Sequence, residues 1–227
     1  KVSGELNSHN LSSFLTEYEK LITSDKKYDK IVLDMHYCRW ITPTGMIALV
    51  SLMKYLMFKN KAEKYKIRHS KYIKSYLNRI DFYKSIGADV SENTRRDSSG
   101  RFREIVKVDS PESVRDVSED LAKIIDNQAS VSETMIDDIS SCLGEILENV
   151  FHHSYSPIDG YVCAQTYPNK NKVEFALADA GIGIKNSLNN NPEYDINSDV
   201  EAIKLALKKG VTGNATGFTG KFDITGT

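Results

Sequence analysis

Residues 130–153 form the longest run of helical periodicity in the chain, and the hairpin pattern immediately after them narrows the fold further. Apolar residues recur at Ile136, Ile139, Leu143, Ile146, Leu147 and Val150, the spacing that holds one helix face against a core. Glu145, Asn149 and His153 succeed one another at i, i+4 steps and form a second stripe on the same helix. A carboxylate, an amide and an imidazole in a row suit a polar ligand. The hairpin has strands over 161–167 and 172–178 and a turn at Pro168-Asn169-Lys170-Asn171. In its second strand Val173, Phe175 and Leu177 point one way, and Glu174, Ala176 and Ala178 the other. That strand ends in Asp179-Ala180-Gly181-Ile182-Gly183-Ile184, a fixed acceptor pair beside two glycines that let a ligand approach the backbone.

Upstream, helical and extended patterns alternate. Residues 11–22 have helical spacing, and 30–34 read as a short β-branched strand. Thr42-Pro43-Thr44-Gly45 then turns the chain into a helix over 46–58. A strand over 66–69, a short helix over 73–77, a strand over 102–108 and an amphipathic helix over 113–125 complete the series. Such alternation predicts an α/β class. Residues 46–58 are the longest apolar stretch, but they include Lys54 and fall short of the roughly 20 residues a membrane span needs.

With 227 residues, 40% of them hydrophobic, and Lys+Arg 30 against Asp+Glu 31, the chain can build one large core or two ordinary ones. The near-neutral total hides an asymmetry. Residues 1–110 carry 21 basic and 13 acidic side chains, while 111–227 carry 9 and 18. Two units are therefore expected, 1–108 and 109–227, with 102–108 placed at their junction and 93–103 as a polar loop. Three widely spaced cysteines, Cys38, Cys142 and Cys163, argue against a disulfide framework or a zinc site. No signal peptide opens the chain, so a reducing, cytoplasmic setting is expected, and Lys1, in place of Met, is read as an internal start. The basic segment 54–84, with its interleaved tyrosines, is read as a solvated face, and nucleic acid is not expected as a partner, because no binding motif accompanies the charge.

Two resemblances add to this reading. "KYDKIVLDM", "ITPTGMIALVSLMKYL" and "YLNRIDFYKSIGAD", in that order, resemble a STAS domain, the fold of bacterial anti-sigma-factor antagonists. In that family a Ser or Thr precedes a Gly at a helix N-terminus, and Thr44 before Gly45 occupies that place. The family's Asp-Ser-Ser-Gly is replaced here by Thr-Pro-Thr-Gly, so Thr44 is read as a helix-capping hydroxyl rather than a phosphorylation site. Farther along, "EILENVFHHS", the hairpin and "DAGIGI" resemble the GHKL family of ATP-binding domains, an α/β sandwich. The segment "SDVEAIKLALKKGVTG" is similar to the helix that precedes that family's ATP lid.

The second resemblance implies ATP and Mg²⁺ as cofactors. Asn149 would hold the metal, Asp179 would accept from the adenine amino group, and Gly181 and Gly183 would make room for the nucleotide. Lys209, Gly210, Val211, Thr212, Gly213 and Gly217 would belong to the lid, and His153 would be structural or touch the lid. Glu145 stands where hydrolytic members keep a base and histidine kinases an Asn, so it is the catalytic candidate. The family places a helix between lid and final strand; here the stretch is too short, and residues are expected to be missing around 218–221. Thr225 or Thr227 would offer a hydroxyl near adenine. The function so implied is an Mg-dependent ATPase whose nucleotide state switches binding to a protein partner or to its own STAS-like unit, with homodimerisation open. The alternatives are a protein serine/threonine kinase of the anti-sigma type and a non-hydrolysing, nucleotide-gated interaction module.

Overall fold

The computed structural model describes residues 1–62, 64–88, 100–128, 132–208 and 211. The first part comprises β1 (Ser3–Leu6), α1 (Leu11–Thr23), β2 (Lys30–Met35), β3 (Tyr37–Ile41), α2 (Pro43–Asn60), β4 (Lys64–His69), α3 (Lys71–Arg79) and α4 (Phe82–Ser85). The second comprises β5 (Phe102–Val108), α5 (Pro111–Gln128), α6 (Glu133–His153), β6 (Gly160–Tyr167), β7 (Lys172–Ala178), α7 (Gly183–Asn189) and α8 (Asp199–Ala206). The protein is mixed α/β with small sheets. No helix among the described residues is long and apolar enough to cross a membrane.

Strands β2 and β3 are one extended path broken at His36, whose N–H is held by Asp34 Oδ1 at 3.0 Å. The first half pairs in parallel with β4 and the second in parallel with β1. Beside these two-stranded pairs, a three-stranded sheet is antiparallel, in the order β5-β6-β7. Strand 102–108 is therefore an edge of the second sheet rather than a connector between units.

Helix α2 explains how the parallel pairs meet the antiparallel sheet. Its apolar residues cover more than one side between Pro43 and Leu56, and its buried residues fall in that stretch. Met46, Ile47, Leu49, Val50 and Met53 join one continuous core with Leu6, Met35 and Ile41 of the first part and Ile105, Tyr161, Cys163 and Ala176 of the second. Further bonds cross the same seam: Ile105 N–H donates to the Ile80 carbonyl at 3.0 Å, and Tyr76 OH to Gln165 Oε1 at 2.6 Å. Gly45 is needed for the close approach, since a Cβ there would fall 2.5 Å from the Leu6 carbonyl oxygen.

The start of α2 corrects the expected role of Thr44. The N-cap position belongs to Thr42, which makes no side-chain cap bond, and Thr44 lies inside the helix. The cap comes from β7. Glu174 Oε1 accepts from Thr44 N–H at 3.2 Å and from its hydroxyl at 2.9 Å, while Lys172 Nζ donates to Oε2 at 2.9 Å. A carboxylate outcompetes a hydroxyl here because helix N-termini favour negative charge and charge-assisted bonds are stronger. Burial pushes the Glu174 carboxyl up, but the Lys172 ammonium and the Thr42 and Thr44 donors beside it outweigh that and hold the group below the usual carboxylate range.

The opposite face of the second sheet is covered by α5 and α6. Val117, Leu121 and Leu147 pack with Val108, Val162 and Ala164, and Phe175 and Leu177 of β7 join them. The alternation along β7 thus serves two covered faces. Of the apolar stripe on α6, only Leu147 is fully buried, and Ile146 stays 47% exposed. The helix leans on α5, so the sheet shields only part of its length. Helices α7 and α8 close separately on a small cluster of Leu188, Ile196 and Ala202.

Candidate functional site

The C-terminal end of α6 and the loop after β7 converge. Ser132 caps the start of α6, its hydroxyl accepting from Met135 N–H at 3.3 Å. Gly160 lets the far end come close to β6, since a Cβ there would fall 2.4 Å from Val150 Cγ1. This docking fixes the rotation of the helix. Glu145 and His153 are half-buried and Asn149 is exposed, all on one stripe.

The loop 179–182 is stitched to the helix end by backbone geometry. The Ser154 carbonyl accepts from Ile182 N–H at 2.8 Å, and Ser156 Oγ accepts from Ala180 N–H at 3.1 Å. Asp179 Oδ1 accepts from Gly181 N–H at 2.6 Å, which turns the carboxylate into the bend and leaves the residue exposed. Gly181 is obligatory, because a Cβ would fall 2.1 Å from the Ser154 carbonyl oxygen. Gly183 adopts φ +78 with open space around it, a conformation that favours glycine, and begins α7. The structure so brings Asp179 and Gly181 beside the end of the helix that carries Glu145, Asn149 and His153.

The electrostatics reflect burial. Partial desolvation, reinforced by Glu148, raises the proton affinity of the Glu145 carboxyl. Desolvation, then neighbouring His152, lowers that of His153 and favours its neutral form. Asn149 makes no hydrogen bond within the described residues, so its amide is free for a ligand. Among the described residues no cluster of three or more His, Cys, Asp or Glu could hold a metal. One exposed amide oxygen fits a hard cation such as Mg²⁺ whose other ligands are waters and phosphate oxygens, rather than a protein-only cage.

Of the residues expected in a lid, Val211 packs against the α7–α8 cluster, and its N–H donates to the Lys208 carbonyl at 3.3 Å. Lys209, Gly210, Thr212, Gly213 and Gly217 lie outside the described residues, as do 218–221, Thr225 and Thr227. Sequence reasoning missed Ser154 and Ser156. The signal was present in "SYSP", because serines just before a proline commonly hold turns through their side chains. It also missed Glu174, whose pairing with Thr44 spans 130 residues. Compared with models of known families, with curated proteins and with solved structures, the chain matches none.

Proposed function

We propose that the second part of the chain is a GHKL-type ATP-binding unit and the first a STAS-like one, and that the protein is an Mg²⁺-dependent ATPase whose nucleotide state switches a partner interaction. The observation that supports this reading is the stitched junction of the 179–182 loop with the end of α6, the helix that carries Glu145, Asn149 and His153. Asp179 would accept from the adenine amino group, with Gly181 and Gly183 leaving space for the base. Asn149 would take one position on the Mg²⁺ ion, which when bound neutralises charge on the phosphate oxygens. Glu145 would take a proton from water as its oxygen bonds to the γ-phosphorus and the bond to the β–γ bridging oxygen breaks, releasing ADP and phosphate. Its raised proton affinity suits that task.

Two observations bear on where the phosphoryl group goes and what the switch moves. Thr44, the acceptor a kinase acting on its own chain would use, donates its hydroxyl to Glu174. Glu174 lies on the face of β7 opposite Phe175 and Leu177, which pack with α6. That separation supports water rather than Thr44 as acceptor. The continuous core around α2 likewise supports an external partner, rather than the chain's own first part, as what the nucleotide state moves.

The test is incubation with γ-labelled ATP and Mg²⁺, scoring free phosphate and protein-bound label together, with Glu145→Ala alongside. Free phosphate from the wild type that the variant fails to release is the expected result. Label on the protein would put the kinase reading first. ATP binding with neither product would leave a nucleotide-gated interaction module.

A further inference from the structure

The outer face of the β2–β4 pair is open and basic. Along β2, Ile31, Leu33 and Met35 turn toward the core while Lys30 and Val32 are exposed. Along β4, Lys64, Lys66 and Arg68 are exposed and their neighbours are half-buried. The register sets Lys30 directly opposite Lys64, Val32 opposite Lys66 and Asp34 opposite Arg68. Like charges facing each other across a strand pair destabilise it. None of these four cations makes a hydrogen bond or ion pair among the described residues. Asp34, which the register sets opposite Arg68, is half-buried, accepts from the His36 N–H through Oδ1 and makes no ion pair with Arg68 among the described residues.

Two exposed aromatic residues follow on β3, and the Lys1 ammonium lies 4.8 Å from the Tyr37 ring centroid. Beyond the break at His36, Tyr37 is 60% exposed and Trp40 is 49% exposed. Lys64, Lys66 and Arg68 are spaced about 6.6 Å apart along the strand, and Lys30 lies about 4.8 Å across from it. A row of unpaired cations with exposed rings on the strand that continues it suits a flexible polyanion with stackable bases, the phosphates on the lysines and arginine and the bases on the rings. A lipid surface fits less well, since interfacial binding needs a protruding aliphatic face, and Val32 is the single aliphatic side chain exposed on these two strands. A duplex fits less well too, because nothing protrudes here to enter a groove.

We propose that this face, formed by Lys30, Lys64, Lys66, Arg68, Tyr37 and Trp40, binds single-stranded nucleic acid. The proposal reverses the expectation that segment 54–84 is only a solvated face. The register supplies what the sequence could not, by placing Lys30 beside the β4 cations.

Trp40 is the only tryptophan in the chain, so its fluorescence reports on this face directly. The full chain would be titrated with oligo-dT and oligo-U of about 20 nucleotides, long enough for a site of the usual size. The expected result is quenching of Trp40 emission, with log affinity falling against log salt at a slope of about −3. Each neutralised phosphate of a single strand contributes about −0.7, and four cations are present. Lys64→Glu/Lys66→Glu, exposed positions whose fold is checked by circular dichroism, should weaken binding by roughly tenfold or more and halve the slope. Absence of quenching, a variant that binds unchanged, tighter binding to a duplex, or quenching by phosphatidylserine vesicles but not by oligonucleotides would each overturn the proposal.

Discussion

Among the described residues, 22 buried side chains from strands and helices of both parts form one cluster around α2, whereas α7 and α8 close on three. The first region resists opening because each side chain there is enclosed by others from distant parts of the chain. The second has few buried apolar contacts. Cooperative stability and local plasticity divide along that difference, since the elements that respond to ligands come from the lightly packed end of a fold. Among the described residues the seam between the two parts is thus the more tightly enclosed region, and the α7–α8 end the more lightly packed one.

The strongest way to break this contrast is to hollow the seam. Leu49→Ala removes a fully buried side chain and should cost about 2–5 kcal/mol. Thermal unfolding should remain a single transition shifted to lower temperature; a separate early transition for one half would show that the parts do not share a core. Next in size, Gly181→Ala forces the loop off the Ser154 carbonyl, so it should lower the melting temperature and weaken ATP binding by roughly tenfold or more, about 1.4 kcal/mol. Calorimetric titration beside a thermal melt checks both halves of that statement.

Glu174→Gln sharpens the contrast from the seam's polar side. The native carboxyl is held below its usual range, so its contribution is present above the unfolded value and lost as pH falls through the folded one. The variant should lose about 1 kcal/mol at neutral pH and show less acid destabilisation than the wild type. Denaturant midpoints measured from neutral to acid pH decide this. Smallest in stability terms is Glu145→Gln. Its carboxyl carries a raised proton affinity, so the charged form is mildly disfavoured in the folded state as pH rises. The variant should melt at the wild-type temperature or slightly above while phosphate release is lost.

Much of the fold was legible because local patterns had little competition. The strong periodicity of α5 and α6, the hairpin of β6 and β7, and the alternation along β7 all reappear at or near the expected residues. What escaped was non-local. β1 is four residues long and depends on parallel pairing with β3, so no short-range signal marks it. Helix α2 read as a long apolar stretch, and only the structure shows why: a sheet packs on either side of it. At the candidate site, Glu145, Asn149, His153 and Asp179 were visible from residue type and spacing. The serines that tie Asp179 to the helix end, and the carboxylate that caps α2 from 130 residues away, became visible only when the chain closed on itself.

The two-sided burial of α2 also limits how this chain can vary. A residue such as Met46 or Leu49 must suit two surfaces encoded far apart, so a change there is accepted only with matching changes on both. Recombination that exchanged either part for a homologous one would inherit half of that agreement and leave an apolar helix flank facing solvent. Exchange of whole modules, the common route by which multi-part proteins diversify, is therefore closed at this seam. The α7–α8 end, bound by only a small cluster, is where new sequence can be accommodated at little cost.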